Sequence, residues 1–245
     1  MNEKILIFGN GQIGNFYKRF FEEKGIDFKL VSVDITKKED VEAAIPEYNP
    51  TVVINTAAKT DLEWCAANRL EAYNVNVLGA DNIAQVCDEK KIYFIHYSSG
   101  CIFQSFKETD VMFEDSEVNP QAYYSWTKVW AENIIPWKKS KDFQYLIMRP
   151  RQPVSSQVHY KNMLMKMLTF TKYVDTPNTG TVIEDMMDWT LKIIEKKPVG
   201  VLHVANEGWS TPYEIGLMLK KYVLPSLEPI KITKEELDKM TPNTD

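Results

Sequence analysis

The sequence predicts an α/β protein, a doubly wound parallel sheet with a smaller C-terminal lobe. Three observations point there. Short apolar runs of strand length alternate with longer segments of helical periodicity from the N-terminus to Pro150. The first run ends in a glycine-rich turn that opens a helix. The 245 residues, 44% hydrophobic and 26% charged with a net charge of -5, suit a single α/β unit, since such folds often run to roughly 250 residues.

Taken in order, Lys4–Phe8 is a β-rich apolar run that stops at Gly9, and Gln12–Lys24 follows with aromatics and charges at helical spacing. Phe28–Val33 reads as a second strand. After it, Thr36 is placed to N-cap a helix whose first turn carries Glu39 and Asp40. Residues 51–55, TVVIN, form a continuous apolar run suited to a strand buried on both faces. Ala72–Asp88 reads as a helix, Ile92–Tyr97 as a strand, Tyr124–Ile135 as a helix and Tyr145–Met148 as a strand. This alternation calls for right-handed crossovers. Beyond Pro150 the pattern loosens into RPRQPVSSQVHYKN, a Met-rich helix, the loop DTPNTG, helices near 183–195 and 212–222, and a strand at VLHVAN, 201–206. Residues 1–150 are read as a nucleotide-binding core and 151–245 as mainly a substrate-binding lobe, with Met163, Met165 and Met167 as core packing.

Several classes drop out. No apolar run approaches the roughly 20 residues of a membrane span, and a mildly acidic chain lacks the basic footprint of a nucleic-acid binder. Cys65, Cys87 and Cys101 cannot all pair and match no zinc spacing, so free thiols in a reducing compartment are expected and no metal. The opening MNEKILIFGNG is broken too early for a secretory signal, which makes the cytoplasm the expected location.

Gly9, Gly11 and Gly14, with Gln12 and Ile13 between the last two, form G-x-G-x-x-G between strand and helix. In that context backbone amides and the helix N-terminus can hold a pyrophosphate. Asp34, 20 residues after Gly14, is placed either to meet an adenosine ribose or to sit in a later loop that touches adenine. The cofactor is therefore read as NADPH or NADH. Tyr124 and Lys128 stand four apart, on one helix face, where the ammonium is expected to stabilise phenolate and lower the tyrosine pKa. HYSSGCIF, 96–103, sits at the carboxyl end of a strand, where such sheets place their ligands, and Ser98 or Ser99 can hydrogen-bond a substrate carbonyl.

A glycine turn, a strand-end serine and a Tyr/Lys helix, in that order, resemble the short-chain dehydrogenase/reductase superfamily and its Rossmann-like doubly wound sheet. NTAAKTDLEWC (55–65), YNVNVLGA (73–80), HYSSGCIF (96–103), YYSWTKVWAE (123–132) and MRPRQPVSS (148–156) narrow this further. They resemble nucleotide-sugar reductases of the dTDP-4-dehydrorhamnose reductase type, and among them bifunctional UDP-4-keto-6-deoxyglucose 3,5-epimerase/4-reductases, which make UDP-rhamnose. DTPNTGTVIEDM (175–186) and VLHVAN extend the likeness over almost the whole chain. The resemblance implies Ser99, Tyr124 and Lys128 as catalytic triad and Gly9, Gly11 and Gly14 as cofactor loop. It also implies Asn55, Ala57 and Ala58 beside the cofactor, Asn76 as a structural asparagine, a UDP- or dTDP-linked sugar as substrate, and a homodimer.

Cys101 sharpens that expectation. Fucose synthases and the bifunctional enzymes resemble this sequence in carrying cysteine two positions after the serine. A C4 ketone acidifies the hydrogens at C3 and C5, so a thiolate can abstract one while an acid returns a proton on the other face. Lys166 falls where the bifunctional enzymes place a lysine, and His159 where fucose synthases supply a histidine. In the rival readings Cys101 merely packs in a monofunctional 4-reductase, or the chain is a non-catalytic, cofactor-binding regulatory subunit. Cys65 and Cys87 are read as structural, His96 and His203 as packed core, and Arg149 and Arg151 as reaching a diphosphate or forming ion pairs. Two departures stand out: the cofactor loop is one residue shorter than G-x-x-G-x-x-G, and the chain ends at KMTPNTD, where relatives continue with a tail that closes the lobe.

Overall fold

A computed structural model describes residues 3–104, 111–159 and 162–240. Its first strand, β1 (Ile5–Phe8), leads into α1 (Gln12–Lys24), and β2 (Phe28–Val31) into α2 (Lys38–Tyr48). β3 (Val52–Asn55) is followed by α3 (Leu62–Ala67), α4 (Arg69–Tyr73) and, after one π-helical turn at Asn74–Leu78, by α5 (Gly79–Glu89). β4 (Tyr93–Tyr97) ends in a 3₁₀ turn at Gly100–Ile102, and α6 (Tyr123–Ile134) precedes β5 (Tyr145–Pro150). The later part contributes β6 (Pro153–Val154), α7 (Met163–Met167), β7 (Lys172–Val174), β8 (Thr181–Val182), α8 (Ile183–Lys196), β9 (Gly200–Val204), α9 (Pro212–Tyr222), β10 (Ile230–Ile232) and α10 (Lys234–Met240).

Six strands form one parallel sheet in the order β2-β1-β3-β4-β5-β9. Alternation of side chains sorts its core into two layers. Ile5, Ile7, Val52, Ile54, Ile95 and Met148 face Phe16, Tyr17 and Phe21 of α1 and Ile183, Met187 and Ile194 of α8. Leu6, Phe8, Val53 and Phe94 face Val41 and Ile45 of α2, Ile83 and Val86 of α5, and Ala131 of α6. Because β1 pairs with β2 on one side and β3 on the other, the chain reverses direction across the sheet there, and a crevice opens beyond the carboxyl ends of these strands.

The structure corrects three local expectations. The second strand stops at Val31, and Lys37 rather than Thr36 is the N-cap of α2, without a side-chain bond. Thr36 instead donates its hydroxyl and its amide to Asp34 Oδ1, at 2.6 and 3.1 Å, closing a local turn that competes with capping. The helix expected over 72–88 is interrupted by the π turn, which places the buried Asn76. Third, the sheet does not end with residue 150: β9 adds its sixth strand and α8 covers one face, so the lobe proper is built from the short remaining elements. Those pair as β6-β8 and β10-β7 and pack around Met167, Tyr173, Leu219 and Leu227. Among the expected methionines, Met167 is buried there and Met163 packs against the cluster. Residues 241–245 of the KMTPNTD end lie outside the described residues. Among the described residues no helix is long and apolar enough to cross a membrane.

Candidate active site at the carboxyl ends of the strands

The glycine turn is shaped by close backbone approach. Gly9 has φ of 100°, and a Cβ on it would lie 2.6 Å from the amide nitrogen of Ala57. A Cβ on Gly14 would stand 1.9 Å from the Gly9 carbonyl oxygen. The turn and the loop after β3 therefore pack backbone to backbone, as a glycine here allows. A Cβ on Gly11, by contrast, would point into open space with nothing within 4 Å. Gly11 is the N-cap of α1, makes no side-chain cap bond, and the first turn carries no acidic residue. The first amides of a 13-residue helix thus face the crevice without a protein carboxylate, and Gln12 Nε2 is buried without a partner. Such a cradle fits a pyrophosphate.

Beside it, Asn55 Oδ1 accepts from the Ala57 amide at 3.0 Å and Asn55 Nδ2 meets His96 Nδ1 at 3.2 Å, which fixes the loop carrying Ala57 and Ala58. Asn76 clasps the same loop to α6: it bonds both the amide and the carbonyl of Lys59, at 2.8 and 2.9 Å, and Thr127 Oγ1 at 3.0 Å. Asp34 is exposed and committed to its own turn and to Lys37 at 3.7 Å, an arrangement that suits a loop position better than a ribose acceptor.

The structure separates the two serines. Ser98 is buried and donates to Glu132, whereas Ser99 remains partly open, accepts from the Cys101 amide at 3.2 Å and hydrogen-bonds Tyr124. Lys128, 2% exposed, sits with Nζ 5.9 Å from the centre of the Tyr124 ring and donates to the Tyr97 carbonyl at 2.8 Å. Burial lowers Lys128 to about 8, partly opposed by Cys101 and Glu132. The expected lowering of Tyr124 is not what the site does. Burial pushes the phenol well above its ordinary range, Cys101 adds to this, and the Ser99 bond only partly offsets it. The Tyr124 phenol thereby stays protonated.

Ser125 Oγ donates to Cys101 Sγ at 3.2 Å. Cys65 and Cys87 are buried, with burial raising both thiols. Lys166 is exposed on α7, and no hydrogen bond or ion pair among the described residues joins it to Cys101. His159 is half-buried in the loop before α7. The two arginines part ways. Both line a cavity of about 670 Å³, but Arg149 is buried and forked onto Glu132, whereas the Arg151 side chain donates Nε to Asn178 Oδ1 at 2.9 Å. Gly100, Phe103, Asn178 and Trp209 line the same cavity, whose size suits a small organic ligand. His203, expected in the core, also reaches its wall. Sequence reasoning missed Glu132 and Trp209. The former stands four residues beyond Lys128, a spacing that marked it; Trp209 lay in a stretch without periodicity.

A bifunctional dTDP-4-dehydrorhamnose 3,5-epimerase/dTDP-4-dehydrorhamnose reductase of Arabidopsis thaliana is 28% identical over 96% of this chain and 81% of its own length. A trifunctional UDP-glucose 4,6-dehydratase/UDP-4-keto-6-deoxy-D-glucose 3,5-epimerase/UDP-4-keto-L-rhamnose-reductase of the same plant is 28% identical over 97% of this chain, which spans only 37% of that longer protein. The crystal structure of Bacillus anthracis dTDP-4-dehydrorhamnose reductase in complex with NADP superposes with a TM-score of 0.84 at 22% identity, over 97% of this chain and 86% of that one. The RmlD substrate binding domain family model matches residues 3–238, and the chain belongs to that family.

Proposed function

We propose that this protein reduces the C4 ketone of a UDP- or dTDP-linked 4-keto-6-deoxyhexose with NADPH or NADH, and epimerises the sugar at C3 and C5 in the same pocket. One observation carries the reading: Ser99 and Lys128 both converge on Tyr124, and Gly100, the residue after Ser99, lines the cavity with Arg151. When bound, the nicotinamide supplies the hydride. The α1 amides and the turn at Gly9, Gly11, Gln12, Ile13 and Gly14 hold the pyrophosphate, with Asn55, Ala57 and Ala58 along the flank. Ser99 orients the ketone, Tyr124 donates its phenolic proton to the C4 oxygen, and Lys128 holds the ribose. NADP in a structural relative and the named sugars of the plant relatives support these assignments.

For epimerisation, Cys101 as thiolate removes the proton next to the ketone, with Ser125 donating to its sulfur, and a proton returns to the same carbon on the opposite face from Lys166 or from water, the charge resting on the enolate oxygen in between. The exposure of Lys166 favours a second reading, a monofunctional 4-reductase fed by a separate epimerase. A non-catalytic, cofactor-binding subunit has no need of the assembled Ser99, Tyr124 and Lys128. The reaction belongs in the cytoplasm, consistent with three free cysteines. A second copy of the chain is the proposed partner for the aromatic surface of α6 and the turn that follows it, where Trp126 and Trp137 are exposed.

The test is NADPH oxidation with UDP- or dTDP-4-keto-6-deoxyglucose, together with solvent deuterium uptake into the sugar. Tyr124→Phe is expected to lose reduction by about 10²–10⁴-fold and retain uptake. Cys101→Ala is expected to lose uptake and still reduce pre-epimerised sugar. Uptake that survives Cys101→Ala removes Cys101 as the base, and wild-type uptake no faster than without protein removes the epimerase half and leaves the monofunctional reductase.

A further inference from the structure

Tyr124, Lys128 and Glu132 follow one another at four-residue spacing on α6 and so share a face. Glu132 is a carboxylate buried with its partner: the side chains of Arg149 and Glu132 are 5% and 9% exposed. Arg149 forks onto it, Nε to Oε1 at 3.0 Å and Nη2 to Oε2 at 2.6 Å, and Ser98 donates to Oε1. The remaining guanidinium nitrogen, Nη1, reaches the Glu114 carbonyl at 3.0 Å and His203 Nε2 at 3.2 Å, while the His203 amide donates to Glu114 Oε1 at 2.9 Å. A continuous chain of bonds thus runs from the cavity wall at His203 to the helix that carries the reacting groups.

A buried ion pair is a poor device for stability alone, because apolar residues of similar volume often hold a fold as well or better. What this pair does is set by its neighbour. The groups that face Lys128 are Tyr124 and Glu132 from its own helix, the Tyr97 carbonyl and His96 from β4, Cys101 from the turn after β4, and Cys65 from α3. Glu132 is the one carboxylate in that set, and burial of the ammonium already works against its charge.

We propose that Glu132, clamped by Arg149 and Ser98, is a positioning residue that keeps Lys128 charged and seated beneath Tyr124. The proposal rests on the reductase reading for its purpose but not for its test. Without the carboxylate, Lys128 loses its proton at lower pH, so the alkaline limb of the rate profile moves down from about 8.

Lys128 is followed directly by NMR titration of protein labelled with ¹³C at lysine Cε, its signal assigned with Lys128→Met, in wild type and in two variants. Glu132→Gln removes the charge and leaves Arg149 in place. Glu132→Leu with Arg149→Met replaces the whole pair by apolar side chains and covers the case in which the single variant does not fold. A Lys128 midpoint lowered by about one pH unit is expected in Glu132→Gln, and a smaller lowering in the double variant, which also loses the Arg149 charge. In turnover the one-unit lowering gives about an eightfold loss at pH 8.5 and less than twofold at pH 6.5. A purely structural clamp would cost activity equally at both pH values and leave the midpoint where it was; an unmoved midpoint overturns the proposal. If the midpoint moves and wild-type protein oxidises no NADPH with keto-sugar, the positioning role stands and the reductase reading falls.

Discussion

The helices around the sheet and those of the lobe begin differently, with the six-residue α3, where Asp61 accepts from the Trp64 amide, as the exception on the sheet side. α1 and α6, which face the candidate site, start at Gly11 and Ala122 without a side-chain cap. The lobe helices are all capped: α7 by Asn162, α9 by a reciprocal pair between Thr211 and Glu214, and α10 by the same reciprocal arrangement of Thr233 and Glu236. The difference follows from packing. α1 buries Phe16, Tyr17 and Phe21 against the sheet, and α6 buries Thr127, Lys128 and Ala131, so tertiary contacts hold their first turns. The lobe helices bury little, α9 only Gly216 and Leu219, and local hydrogen bonds must do that work. Helices held by packing can leave their N-terminal amides to a ligand.

Introducing a cap at the open end of α1 tests this most severely. Gly11 has φ of -72°, within reach of any residue, and its Cβ position is empty. Gly11→Asp is therefore expected to fold, gaining a few tenths of a kcal/mol from the new cap. The same carboxylate stands where the pyrophosphate is proposed to lie. NADPH affinity, measured by fluorescence titration, is expected to drop at least about 100-fold, with an unchanged or higher melting temperature. Tight binding in this variant would place the pyrophosphate elsewhere.

The same contrast explains what could be read in advance. The sheet was legible because Ile5–Phe8, Val52–Asn55 and Ile92–Tyr97 are buried on both faces, which writes continuous apolar runs into the chain. Gly9 and Gly14 were legible because close backbone approach tolerates few residue types, and the nearness of Lys128 to Tyr124 because residues four apart share a helix face. The site's electrostatics were not. Spacing placed Lys128 near Tyr124, but burial, which decides the direction in which the phenol shifts, is a property of the packed site. Arg149 and Arg151 look alike in sequence and differ only through Glu132 and Asn178, which reach them across the fold. Lys166 was drawn from resemblance, and the packing of Met163 and Met167 into the lobe core leaves it facing solvent. The two- and three-residue lobe strands carry too little periodicity to be seen at all.

A smaller effect is expected where a lobe cap is removed. Thr211 accepts from the Glu214 amide at 3.1 Å, and its own amide donates to Glu214 Oε2 at 2.8 Å. Thr211→Ala is expected to cost about 1 kcal/mol in urea unfolding. The loss has a functional direction. Next to Thr211, Ser210 exchanges backbone bonds with Asn178, which in turn holds Arg151 at the cavity. Loosening α9 should raise the KM for the keto-sugar several-fold and leave the KM for NADPH unchanged. A parallel rise in both would mean that the lobe and the glycine turn are one cooperative unit.

The mildest perturbation runs the other way, giving α6 the cap it lacks. Ala122 has extended backbone angles, φ -79° and ψ 149°, the conformation from which a serine hydroxyl accepts from the second or third amide of a helix. Ala122→Ser is expected to add about 0.5 kcal/mol or more if the first turn of α6 has cap energy left to gain. The alternative is that the turn is already fixed from outside, since Tyr123 donates its hydroxyl to the Arg69 carbonyl at 3.1 Å and packs edge-on against Trp130. Melting temperature and kcat together separate the cases. Higher stability with unchanged kcat shows that α6 was merely uncapped. Higher stability with lower kcat shows that freedom at Tyr124, two residues along, is part of how the proton is delivered, and that packing-held helix ends serve catalysis as well as cofactor binding.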